Sequence, residues 1–284
     1  KLSVSLAAHG KLNDFELPIL KIQAMPHFSF EGNASIQDLL VPNEAFLYIN
    51  LPLVSANQEG LLFIARNFNP TITNSAGLIQ RLGYATFKGT LSGYINDLIA
   101  YGKCSSGLGD FDIDMKLGRN LDKNLFSFEG GLKTSSFNIG ELINNKELGH
   151  IALNFELNGQ KKYNLPYPDI ILKGAIDSLS YNKYTYHNIS IDGEFKSGGF
   201  DGSILLDDTN GSFSLLGNFN LAKQIPTFDF NASFRGIRPK ELNLSKTGKE
   251  SEWSMDVNAN FTGGALDQMN GSLSIEDLRL VTSE

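Results

Sequence analysis

The chain has 284 residues, a formal net charge of −7 at pH 7, 41% hydrophobic and 19% charged residues. An acidic balance with no cluster of Lys or Arg excludes the cationic phosphate contacts on which nucleic-acid affinity rests, and with them polybasic attachment to an anionic membrane. One cysteine, Cys104, leaves no internal disulfide, and 28 glycines amid many Asn and Ser favour turns and strands over long helices.

Lys1 already lies in a strand-like pattern and Glu284 follows another. Residues 1–284 are therefore expected to be a segment of one extended β-domain that continues beyond both ends. Ser35-Ile-Gln-Asp38-Leu-Leu-Val-Pro42 reads as a short helix. The longest apolar run, Leu61–Ala65, falls far short of the roughly 20 residues a membrane helix needs, and no signal-peptide pattern stands at the front. A second short helix is expected over Ser75–Gly83. From there strict alternation takes over. Phe111-Asp-Ile113-Asp-Met115-Lys-Leu117 puts every second side chain on one face, as a half-buried strand requires. The three aspartates of that strand, Asp110, Asp112 and Asp114, have a spacing that would suit Ca²⁺, but a strand lays alternate residues in a row rather than around an ion, so a solvated face is expected.

Asn138 to Gly149 carries a capping-box pair, Asn138 and Glu141, and a stop at Gly149, predicting a third short helix. Ile151, Leu153, Phe155 and Leu157 then alternate with polar residues in another strand. Ser180-Tyr-Asn-Lys183 and Lys246-Thr247-Gly248 match two pieces of the penicillin-recognising serine enzymes. That chemistry needs Ser and Lys on one helix face, whereas 176–195 alternates as strands. The four histidines, His9, His27, His150 and His187, are scattered, without metal-ligand spacing. No enzyme, metal or cofactor is expected.

Asp207-Asp208-Thr209-Asn210-Gly211 is expected to turn the chain between Ile204-Leu-Leu206 and Phe213, with Asn-Gly hairpin chemistry. Phe213, Leu215, Phe219 and Leu221 follow at even spacing, then Phe228, Phe230 and Phe234, and finally Met255, Val257 and Phe261; a single helical turn is expected at Pro239–Leu242. An aromatic-x-Gly triplet recurs at Phe30-Glu-Gly32, Phe87-Lys-Gly89, Phe128-Glu-Gly130, Phe234-Arg-Gly236 and Phe261-Thr-Gly263. It is read as the opening or closing of a strand, with a bulge at the glycine.

Strands greasy on one face and wet on the other fit two designs. Two sheets bury each other in a sandwich, or one sheet lines a trough that holds something else. The stretch Ala85-Thr-Phe87-Lys-Gly89-Thr-Leu-Ser-Gly93-Tyr-Ile-Asn-Asp-Leu98, leading to Gly109-Asp-Phe111-Asp-Ile113-Asp, resembles the TamB and AsmA-like envelope proteins, particularly those of Bacteroidetes. Phe126-Ser-Phe128-Glu-Gly-Gly-Leu-Lys-Thr134, Phe137-Asn-Ile-Gly-Glu-Leu142, Tyr186-His-Asn-Ile-Ser-Ile191-Asp-Gly193 and Phe228-Asp-Phe230-Asn-Ala232 carry the same rhythm. The resemblance implies an all-β, elongated, curled antiparallel sheet (a β-taco) with a few short helices and a hydrophobic groove. It implies a periplasmic location, with an inner-membrane anchor outside this chain, and no catalytic residues. It further implies phospholipid transfer in outer-membrane biogenesis, with phospholipid acyl chains as the partner. A BamA-like outer-membrane barrel would be contacted by a region not present here. Phe111, Ile113, Met115, Leu117, Ile151, Leu153, Phe155, Leu157, Phe213, Leu215, Phe219, Leu221, Phe228, Phe230, Phe234, Met255, Val257 and Phe261 are the expected lipid-contacting side chains. The alternatives are a secreted β-sandwich binding module and a chaperone-like scaffold that templates client strands at its sheet edge.

Overall fold

The structure, a computed structural model, describes residues 2–41, 43–68, 76–120, 122–245 and 250–282. Alternation dominates these residues, and they form one antiparallel, unclosed sheet whose strands β1 to β16 stand in chain order without a crossover. Each strand pairs with those before and after it in the chain, most of them joined by hairpins or short connections and β4 joined to β5 through two helices. The chain divides into two compact units, Lys1–Asn145 with Gln160–Asn164, and Lys146–Gly159 with Leu165–Glu284.

The first unit holds β1 (Leu2–Gly10), β2 (Phe15–Ala24), β3 (Phe28–Gln37), β4 (Phe46–Ala56), β5 (Ala85–Tyr94), β6 (Asp97–Ser106), β7 (Gly109–Asn120) and β8 (Leu125–Asn138). Helices α1 (Gln58–Phe68) and α2 (Ala76–Leu82) connect β4 to β5, and α3 (Ile139–Ile143) follows β8. The expected helix at 35–42 is a correction: β3 runs through Ser35 to Gln37, and the chain then turns. The amides that a helix would have used are taken by the β1–β2 turn. Asp38 N donates to Asp14 Oδ1 at 3.1 Å and Leu40 N to Asn13 Oδ1 at 2.9 Å. Pro42 and Ser75 lie outside the described residues, and α2 otherwise follows the expected helix. The capping box is present: Glu141 N donates to Asn138 Oδ1 at 3.0 Å and Asn138 Nδ2 to Glu141 Oε2 at 3.2 Å. The stop is not Gly149, which lies inside the next strand; left-handed Asn144, at φ 59°, ends α3 instead. Helix α1 was not expected. The run Leu61–Ala65 sits in it, and Asn57 caps it by accepting from Gly60 N at 3.0 Å.

Strand β9 (Leu148–Lys162) lies mostly in the second unit, with β10 (Asp169–Tyr181), β11 (Tyr184–Lys196), β12 (Gly199–Asp208), β13 (Gly211–Asn220), β14 (Thr227–Ile237), β15 (Ser251–Thr262) and β16 (Asn270–Thr282). The β12–β13 hairpin turns on Thr209-Asn210, within the expected stretch, and Gly211 pairs with Asp208 as the first residue of β13. Asp208 sets this turn by accepting from Asn210 N at 3.0 Å, which displaces the Asn-Gly geometry. Ser180 lies near the end of β10 and Lys183 in the tight β10–β11 turn, where Asn182 and Lys183 have φ of 48° and 67°. The Lys246-Thr247-Gly248 motif lies outside the described residues. The predicted turn after Arg238 is present: Leu242 N donates to Arg238 O at 3.1 Å, and Leu242 is 1% exposed, its carbonyl accepting from Tyr186 Oη at 3.0 Å.

Candidate functional site: an apolar sheet face

In the second unit, register turns alternation into a surface. Phe195, Phe200, Phe219, Phe228 and Phe261 stand in direct cross-strand register from β11 to β15. Their rings form a ladder, with centroids 5.0 Å apart for Phe195–Phe200, 5.5 Å for Phe200–Phe219 and 4.6 Å for Phe228–Phe261. Such cross-strand aromatic pairs stabilise a sheet beyond the area they bury. The next row on the same face is Gly193, Gly202, Gly217, Phe230 and Ala259, then Ile191, Ile204, Leu215, Ala232 and Val257, then Ile189, Leu206, Phe213, Phe234 and Met255. Phe200, Leu215 and Ala232 are the buried centre, and Ile191, Ile204, Phe213, Phe219, Phe230, Phe234 and Val257 pack around them half-buried. The residues between, such as Asp201, Asn218, Asp229, Asn231 and Asn260, are exposed on the other face.

The glycine row explains how this face stays close-packed. A Cβ on Gly193 would lie 2.6 Å from Phe200 Cε2, so the Phe200 ring occupies the space a side chain would take. The same holds for Gly174 against Phe155 Cδ1, at 2.4 Å, and for Gly89 against Phe87 Cζ, at 2.9 Å. This corrects part of the aromatic-x-Gly reading: Gly32, Gly89 and Gly130 lie within strands rather than at their ends. Register shifts do accompany Gly32, between Glu31 and Asn33, and Gly236, between Phe234 and Ile237.

Most of the expected contact residues fall on this kind of face. In β9, Leu153 and Phe155 are buried and Ile151 and Leu157 half-buried, while Asn154 and Glu156 are exposed. In the first unit, Phe111, Ile113, Met115 and Leu117 of β7 face Cys104, Gly102, Ala100 and Leu98 of β6. On the other side Ile113, Met115 and Leu117 face Leu132, Gly130 and Phe128 of β8. Leu221 is the exception: it lies past the end of β13 and is 62% exposed. Its even spacing continued the pattern, but Asn220 Oδ1 accepts from Ala222 N and Lys223 N and bends the chain out of the sheet. Phe195, Phe200, Ile189, Ile191, Ile204 and Leu206 were not among the expected contacts; Gly193 and Gly202 interrupt the apolar spacing next to Phe195 and Phe200. In β11 the burial phase also switches, from Tyr184 and Tyr186 to Ile189 and Ile191, across left-handed Asn188 at φ 54°.

The polar face carries paired charges. Lys103 Nζ lies 2.8 Å from Asp110 Oδ2, and hydrogen bonds from Lys103 and Ser105 hold the Asp110 carboxyl below its usual range. On the apolar face, burial, and then the charge of Asp110, push the Cys104 thiol up. Among the described residues no group of His, Cys, Asp or Glu is arranged to hold a metal ion.

Fold and face together define an all-β, single-sheet protein with apolar rows on one face across β6 to β8 in the first unit and β11 to β15 in the second. No protein-family model, curated protein or solved structure matches the chain.

Proposed function

We propose that the apolar face lines a non-catalytic hydrophobic groove that carries phospholipid acyl chains across the periplasm in outer-membrane biogenesis. In this reading the chain is an interior segment of a TamB/AsmA-like protein anchored in the inner membrane elsewhere. The observation that carries the reading is the shared register of apolar rows from β11 to β15 on one face of one sheet. A binding sandwich needs a second sheet to bury such rows; here all the strands belong to a single sheet. In the second unit the described residues contain no helix to cover the face beyond the turn after Arg238 and the 3-10 turn Leu266–Gln268. A large apolar surface on a protein calls for a ligand or partner. An acyl chain answers that demand at about 0.8 kcal/mol per buried CH₂, or about 13 kcal/mol for a sixteen-carbon chain. The rows are chemically uniform and bear no headgroup-reading polar atoms, which suits a chain that slides.

The test places p-benzoylphenylalanine at Phe213 and exposes the protein to vesicles of phosphatidylethanolamine and phosphatidylglycerol. Ultraviolet light is expected to capture phospholipid, and Phe230→Asp in the same background to lower capture at least fivefold while circular dichroism stays that of a folded sheet. Undiminished capture in the folded Phe230→Asp protein would remove the groove's support.

A further inference from the structure

In the first unit the sheet face does not run open to its end. Helices α2 and α3 roof it where β6, β7 and β8 meet, and a partly open cavity of about 310 Å³ remains beneath them. Leu78, Ile79 and Leu82 of α2 and Leu142 of α3 form the roof; Cys104, Phe111 and Phe137 form much of the floor. The roof is tied together by Arg81 Nε, which donates to Leu142 O. The floor is firm, because Phe137 is buried and its ring lies 4.5 Å from that of Phe111.

The lining presents only apolar surface. Its one hydroxyl, on Ser106, is already used: Ser106 Oγ donates to Gly109 O at 3.1 Å and accepts from Leu108 N at 3.2 Å. A ligand needing a hydrogen bond or a counter-charge finds neither, so the lining favours hydrocarbon. The volume falls within the range of small-molecule sites. Along β7 the floor continues from Phe111 to Ile113, Met115 and Leu117, and along β6 from Cys104 to Gly102, Ala100 and Leu98, which is the apolar face itself. We infer that this cavity is a terminal pocket that receives the methyl end of a lipid acyl chain whose remainder lies along the face. The inference rests on the groove reading above and adds to it a fixed stop where a chain parks rather than slides.

Cys104 is the only cysteine, so a thiol reagent on the unmodified chain reports this cavity alone. The experiment follows alkylation by N-ethylmaleimide, by intact mass, with 12-carbon lysophosphatidylcholine below its critical micelle concentration, and separately with glycerophosphocholine. Native mass spectrometry of the same samples counts bound lipid. The lysolipid is expected to slow alkylation at least tenfold and glycerophosphocholine to leave it unchanged. Ile79→Trp, which fills the cavity, is expected to slow alkylation without lipid. Lipid bound while Cys104 of the unmodified chain reacts at its free rate overturns the pocket and leaves the groove standing. Absence of bound lipid overturns both.

Discussion

Truncating Phe200 to Ala withdraws a ring that is 2% exposed and lies between Phe195 and Phe219 in the ladder, over the backbone of Gly193. Loss of the buried ring costs roughly 1.5–3 kcal/mol in transfer free energy, and the space left behind raises a Phe→Ala change to about 3–5 kcal/mol. Phe195, itself 38% exposed, is able to lean into the gap, so the lower end, about 3 kcal/mol, is expected. Phe230, which continues the glycine row on β14, is half-buried and faces the proposed ligand. Its truncation forfeits contact that water already shares and should cost about half as much. The single tryptophan, Trp253 of β15, belongs to the second unit and reports its unfolding by fluorescence in urea. Phe200→Ala should lower the urea midpoint strongly with an unchanged slope, while Phe230→Ala lowers it weakly and takes the larger toll on lipid capture. A Phe200→Ala loss below about 1 kcal/mol, or equal losses for the two variants, would refute the division of this face into framework and contact surface.

Two further outcomes follow from the same geometry. Gly217→Ala places a Cβ 2.3 Å from the Asp229 carbonyl oxygen at a φ of 138°, and should cost at least about 2 kcal/mol by the same fluorescence assay; a neutral result would contradict the close approach of β13 to β14. Burial alone would raise the Asp208 carboxyl, but hydrogen bonds from Tyr184, Asn210 N, His187 N and Thr209 outweigh it and hold it below its usual value. A carboxyl depressed in the folded state stabilises the fold above its unfolded pKa of about 4 and loses that contribution as pH falls through the native one. Asp208→Asn should therefore be less stable than the parent at neutral pH, with the gap narrowing below about pH 4 in thermal melts; a gap independent of pH would show that the carboxylate's charge is not what the network holds.

Where side chains alone decide a strand, the sequence was readable. Phe111 to Leu117 and Phe228 to Phe234 alternate without interruption, and the structure puts each set on one face. Where the backbone decides, it was not. Gly193 and Gly202 erase the alternation of β11 and β12 just where their neighbours' rings take the missing volume, so a row containing Phe200 was invisible to a period-two count. Left-handed Asn188 shifts the burial phase of β11, and no pattern of hydrophobicity announces such a residue. The stretch after Ser35 had helical spacing, but the partners of its amides, Asn13 and Asp14, are distant in sequence. Likewise the roof over Cys104 joins α2 to α3, elements separated by β5 to β8, and only coordinates bring them together.

The chain-order pairing of the strands has an evolutionary corollary. A hairpin cut out between two matching registers brings together strands that already present the same sequence of rows, so the apolar lanes rejoin in phase. Duplication of a hairpin extends them by the same logic, and neither event asks distant residues to co-adapt. Growth and shrinkage by hairpin are open to such a sheet in a way they are not to a barrel, whose closure fixes strand number and shear together.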